Sequence, residues 1–215
     1  VRDFGKAFVV AKMSAYSAVL HTGPVGRQNP SDGLFQFNAP LGFGGGQLSA
    51  FWTPQTGSVI LGRRRGQHWE RPMDTNTEWR LWPIHAVSGC TPDGKVFTSA
   101  RIVDPAVTNT LAKNGGTVQV SGVITGDQLG QTNALQDSIG YRRIFTIGKK
   151  NLRVETRVSG GGKDMLAELY ETIPVYLRDL QLNTNVPVRI EFKADGKWME
   201  ATRDYQEKVT DVKLV

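Results

Sequence analysis

Gln47-Leu48-Ser49-Ala50-Phe51-Trp52-Thr53-Pro54-Gln55-Thr56-Gly57-Ser58-Val59-Ile60-Leu61 reads as two extended runs and the turn between them. Pro54 presets one turn dihedral and Gly57 relieves another, so the chain reverses there and the flanking runs pair as a hairpin. The same pattern recurs on both sides. Phe8 to Met13 and Tyr16 to His21 are β-rich runs, the second ending at Thr22-Gly23-Pro24. Leu81 to Val87 and Lys95 to Ile102 form a second hairpin around Pro92-Asp93-Gly94.

Thr117 to Ile124 alternates apolar with small or polar residues, the period of a half-buried strand. Tyr141 to Ile147 and Leu152 to Val158 alternate around Gly148-Lys149-Lys150-Asn151. In the latter strand Arg153, Glu155 and Arg157 share a wet face, and Leu152, Val154, Thr156 and Val158 a dry one. Val188 to Lys193 turns at Ala194-Asp195-Gly196 into Lys197 to Ala201, and Val209 to Val215 closes the series. Asp164 to Ile173 fits both a helical and an alternating spacing. Its strand neighbours and Pro174 favour strand. These runs predict an all-β chain: a large antiparallel β-sandwich, or super-sandwich, of about ten to twelve strands with little helix.

At 215 residues the chain fits one sandwich domain, residues 1–215, since all-β domains commonly run to about 200–250 residues. Hydrophobic residues make up 39% and charged residues 21%, which excludes a disordered tail. No apolar run approaches the roughly 20 residues of a spanning helix, so no membrane partner is expected. The start at Val1 carries neither an initiator Met nor a signal-peptide pattern, and the chain is expected to be the C-terminal part of a longer protein. Cys90, the single cysteine, excludes an internal disulfide framework and reads as an inert, half-buried side chain. No internal repeat is present.

The net charge of +6 suits a polyanionic partner, nucleic acid or acidic polysaccharide. Arg63-Arg64-Arg65, between Gly62 and Gly66, is either an anion contact or a solvated loop. Gln67 to Trp82 gathers three of the five tryptophans, Trp69, Trp79 and Trp82, with His68, Glu70 and Arg71. Indole faces stack on sugar C–H surfaces and arginine bonds carboxylates, so this composition suits a carbohydrate; it equally suits a domain interface. His21 lies at a strand end, where it either emerges into a cleft or caps the strand against a neighbouring carbonyl. The three histidines match no zinc spacing; a metal site would have to be assembled in space, from His21, Asp32 and His68 or His85. Glu168 and Glu171 would point to opposite faces of a strand and so make a poor acid/base pair. Nucleophile elbows, phosphate loops and dinucleotide fingerprints are absent, and nucleic acid is the less favoured polyanion. The longer segments Gly23 to Gly46 and Gly126 to Gly140 suit functional rims.

Tyr16 to Pro24, the Gly44-to-Gly57 hairpin and the long antiparallel strands after it resemble the C-terminal β-sandwich of heparinase II/III-like polysaccharide lyases. In that family an α/α toroid precedes the sandwich, and acidic polysaccharide is cleaved by β-elimination in the cleft between them. The resemblance implies a module that lines such a cleft with Arg63, Arg64, Arg65, His68, Trp69, Arg71 and Trp79. It makes His21 the position matched to a cleft histidine with a catalytic part. It further implies an acidic polysaccharide or oligosaccharide ligand, an upstream domain of the same chain as partner, and a periplasmic or extracellular location. No cofactor is required beyond a possible structural divalent metal. The module is expected to be silent alone. The competing expectations are a structural or assembly domain packed on a partner domain, and a stand-alone carbohydrate-binding module.

Overall fold

The computed structural model describes residues 1–23, 44–61, 85–99, 102, 104–124, 135, 138–160, 162, 166–173, 175, 178–179, 184–185, 190–194, 196–200 and 211–214. The protein is all-β. Five strands open the chain: β1 (Arg2–Phe4), β2 (Phe8–Lys12), β3 (Ser17–His21), β4 (Gln47–Thr53) and β5 (Gly57–Leu61). They form an antiparallel meander, sheet I, in chain order. β6 (Ala86–Cys90) and β7 (Val96–Thr98) follow as a hairpin. β8 (Ala106–Ala112), β9 (Gly115–Ile124), β10 (Ile139–Ile147) and β11 (Leu152–Gly160) make a second antiparallel meander, sheet II. β12 (Glu168–Thr172) adds to the free side of β6, completing sheet III in the order β12-β6-β7. β13 (Arg178–Asp179) pairs with β14 (Thr184–Asn185). β15 (Ile190–Ala194), β16 (Lys197–Glu200) and β17 (Asp211–Leu214) form a three-stranded sheet centred on β15.

The hairpins at Thr53–Gly57, Pro92–Gly94, Gly148–Asn151 and Ala194–Gly196 stand where the turn residues place them. The segment of double spacing is strand at Glu168–Thr172. Among the described residues seventeen strands exceed the ten to twelve expected: β1, β13 and β14 are only two or three residues long, and in β8 Asn109 interrupts the apolar alternation.

Sheet II organises the layers. Pleating sends Val118, Val120, Gly122 and Ile124 of β9, and Ile139, Tyr141, Arg143, Phe145 and Ile147 of β10, to one face. One end of that face packs on sheet I: Val118, Val120, Phe145 and Ile147 share a core with Val9, Ala11, Tyr16, Ala18, Leu20, Leu48, Val59 and Ile60. The other end packs on sheet III, where Ile124, Ile139 and Tyr141 join Val87 and Phe97. The fold is sandwich-like, with its covering layer divided between two sheets. Burial of side chains such as Leu20, Ile60, Phe97 and Phe145 contributes about 1.5–3 kcal/mol each.

The meander of sheet I is tied to the far layer by Tyr16, whose hydroxyl lies 2.8 Å from the Gly148 carbonyl and 3.0 Å from that of Asn151, at the turn between β10 and β11.

Candidate functional site

Arg143 stands on the inward face of β10 at the seam between the two covers. Its neighbours in register, Tyr141 and Phe145, belong to different cores, and its own side chain is fully buried. A buried guanidinium requires a counter-charge and an acceptor for each N–H. All three sheets contribute, with one acceptor for each of its nitrogens. Glu171 of β12 accepts from Nη2 at 2.6 Å, Gly46 at the entry to β4 accepts from Nη1 through its carbonyl at 2.5 Å, and Thr156, opposite on β11, accepts from Nε at 3.1 Å.

The same carboxylate oxygen, Glu171 Oε1, accepts from Thr156 Oγ1 at 2.8 Å and lies 3.0 Å from His85 Nε2. The backbone N–H of Leu48 donates to His85 Nδ1 at 2.9 Å. Nδ1 is therefore the acceptor nitrogen, and Nε2 carries the proton that goes to Glu171. The electrostatics agree with this tautomer. Burial, with the Arg143 charge, pushes His85 down to about 4 against the opposing pull of Glu171. Burial alone would raise the Glu171 carboxyl; the His85 and Thr156 hydrogen bonds and the Arg143 charge outweigh it and hold it far below the usual carboxylate range. At neutral pH the cluster is one cation, one anion and a neutral imidazole.

Gly45 and Gly46 shape the approach to this seam. Both have positive φ, 79° and 80°, a conformation that disfavours any side chain. A Cβ on Gly46 would stand 2.8 Å from Cβ of Val120. Their amides turn back on sheet I, Gly45 N–H to the Gly23 carbonyl and Gly46 N–H to that of His21, each at 2.9 Å. The Gly45 carbonyl accepts from Tyr141 Oη at 2.9 Å, a phenol that burial pushes up to about 12. The close backbone approach that the glycines of residues 42–46 suggest is thus made, at Gly45 and Gly46, by the protein's own layers.

His21 is in sheet I, 5% exposed, opposite Phe8 and Gln47, with its ring tilted 30° against that of Phe8 at 4.3 Å between centroids. Among the described residues its ring is buried. His85, read as a possible metal ligand, engages both ring nitrogens with protein groups. Among the described residues no group of three or more His, Cys, Asp or Glu gathers to hold a metal. Asp32, Arg63, Arg64, Arg65, His68, Trp69, Arg71 and Trp79 lie outside the described residues. Cys90 is buried, more deeply than its sequence position suggested. Glu168 and Glu171 are on a strand, three apart, and only Glu171 joins the cluster.

Arg143 and its cluster were not singled out from the sequence. Tyr141-x-Arg143-x-Phe145-x-Ile147 does carry the signal: one cation on an otherwise apolar face. The arrangement can hold sheets together. Both ring nitrogens of His85 and all three nitrogens of the Arg143 guanidinium are engaged by protein partners. The chain matches no family model, no curated protein and no solved structure.

Proposed function

We propose that this chain is the β-sandwich module of a polysaccharide-processing, lyase-like protein, lining a cleft for an acidic glycan and catalytically silent alone. The observation that carries this reading is topological. β3 ends at His21 opposite the first residue of β4, Gln47, and antiparallel β5 returns to the same end at Leu61. His85 is bonded to Leu48 beside them. The described flanks of segments 24–43 and 62–84 therefore gather at one end of sheet I. Those segments contain Asp32, the Arg63-Arg64-Arg65 run, His68, Trp69, Arg71 and Trp79. Residues far apart in sequence leave the sheet from one place, as the wall of a glycan cleft requires. The engagement of Arg143 and His85 by protein groups on all three sheets favours a structural part for that cluster.

Affinity electrophoresis in polygalacturonate, with neutral dextran as control, tests this. The chain should be retarded by the uronate polymer alone, and Trp69→Ala or Arg64→Ala should weaken retention by about tenfold, the equivalent of 1.4 kcal/mol. Retention unchanged in both variants would count against the loop-end site.

A second reading, an assembly domain, draws on an exposed apolar rim. Leu169 and Ile173, 46% and 39% exposed, flank Glu171 at two-residue spacing, and Val158, 39% exposed, stands two residues beyond Thr156. Docking of a neighbouring domain onto this rim, abolished by Leu169→Asp with no glycan retention in the parent chain, would favour it.

A further inference from the structure

The outward face of sheet II carries a second, independent feature. Pleating places Arg142 of β10 and Arg153, Glu155 and Arg157 of β11 on this face, away from both covering sheets. Register sets Arg142 directly opposite Arg157. Like charges directly opposite on neighbouring strands destabilise a sheet, so folding alone gives no reason for the pair.

One carboxylate pairs with two of the three cations. Glu155 Oε1 accepts from Arg157 Nη2 at 2.6 Å and from its Nε at 2.8 Å, while Oε2 is 3.5 Å from Arg153 Nη2. Arg142 turns to the neutral Gln119 Oε1 at 2.6 Å. The Arg157 hydrogen bond and charge, with smaller contributions from Arg153 and Arg142, hold the Glu155 carboxyl below its ordinary value. Three guanidiniums against one carboxylate leave the patch with two charges in excess among the described residues. Arg153 and Arg157 are 73% and 67% exposed, so their N–H groups reach solvent.

The surroundings narrow the partner. Thr146 stands opposite Arg153, Ser121 opposite Arg142, and Thr117 opposite Thr146, all on this face. Hydroxyl groups thus alternate with guanidiniums on a broad sheet surface. No aromatic ring occupies the outward positions of β8 to β11, so the platform on which unpaired bases stack is missing. Arginine presents a planar fork matched to carboxylate and phosphate oxygens, and the hydroxyls beside it match the hydroxyls of a sugar.

The geometry points to a binding surface for a linear acidic polysaccharide on the outer face of sheet II, with Arg142 and Arg157 clamping one anionic group and Arg153 engaging a second further along β11. It shares a ligand class with the proposed function and uses a different site, facing away from sheet I. A chain engaged there would relieve the Arg142–Arg157 repulsion, so binding and folding become linked.

The test is affinity of the whole chain for dextran sulfate and polygalacturonate, against neutral dextran and duplex DNA, with thermal unfolding measured in parallel. Arg142→Gln/Arg157→Gln should lower affinity for the acidic polymers at least about tenfold and flatten the salt dependence. Arg142→Gln alone should unfold at the same or a higher temperature than the parent, which separates lost contacts from lost structure. Trp69→Ala should leave the contribution of this face intact, so failure of the loop-end site and failure of this one give different patterns. Unchanged affinity in the double variant would overturn the proposal, as would duplex DNA binding as tightly as the polysaccharides and depending on the same two arginines.

Discussion

The backbone N–H of Leu48 in β4 donates to Nδ1 of His85 at 2.9 Å, linking sheet I to the entrance of sheet III through an imidazole lone pair. A proton on Nδ1 would set donor against donor. Opening the bond therefore adds to the cost that burial and the Arg143 charge set on protonating His85.

Acid should weaken the fold in a defined window. The His85 pKa falls from 6.5 in the open chain to about 4 in the folded one. The unfolded state then binds more protons between those values, and stability present above pH 6.5 is lost as pH falls towards 4. The depressed Glu171 carboxyl has the same sign and extends the loss below its ordinary value of 4.5. Urea unfolding at a series of pH values should show this slope, with a ceiling of about 3 kcal/mol from His85. In His85→Gln the slope between pH 6.5 and 4 should shrink.

Removing one partner of the buried pair should cost more than removing both. Glu171→Leu strands the fully buried Arg143 guanidinium and should destabilise by about 3–5 kcal/mol, whereas Arg143→Met leaves a carboxylate that is 29% exposed and still bonded to Thr156, and should cost less. The double variant Arg143→Met/Glu171→Leu should lose clearly less than the sum. Chemical denaturation of the four proteins in a double-mutant cycle measures the coupling.

Gly46→Ala should destabilise by about 1–3 kcal/mol, because its φ of 80° is held by the layers on either side. Gly46→Ala/Val120→Ala should not restore stability, since Val120 Cβ, the closest atom at 2.8 Å, remains, the backbone strain stays and a cavity is added. Thermal melts of the single and double variants check this.

Tyr16→Phe should cost about 1 kcal/mol, one net hydrogen bond between sheet I and the β10–β11 turn. Hydrogen exchange should rise at Gly148, whose amide closes that turn onto the Asn151 carbonyl, while the β4–β5 hairpin keeps its protection.

Much of the architecture was legible because strands announce themselves locally. The period of two in Thr117 to Ile124 and Tyr141 to Ile147, with glycine and proline at the turns, requires no knowledge of distant residues. β8 escaped notice even though Asn114-Gly115 is a strong hairpin signal. Its inward residues are Val107, Asn109 and Leu111, and Asn109 breaks the apolar pattern because it bonds Asp3 at 2.8 Å. The seam cluster was illegible for a related reason. Arg143 takes partners from positions 46, 156 and 171, and His85 from 48 and 171, so nothing in either local sequence declares what neutralises it. The wet stripe of Arg153, Glu155 and Arg157 was plain from the sequence. Its confrontation with Arg142 depends on register, which only pairing reveals.

The Gly45 N–H to Gly23 carbonyl bond fastens together the two ends of everything between them. With its ends already joined, a segment contributes to folding mainly through closure entropy, which grows by only about 0.6 kcal/mol for each doubling of length. The ends of the interval from residue 24 to residue 43 are held by that bond, so residues added within the interval should leave the pairing of β3 with β4 in register. Grafting a foreign peptide there, with Gly23, Gly45 and Gly46 kept, is the most conservative route to new recognition on this scaffold.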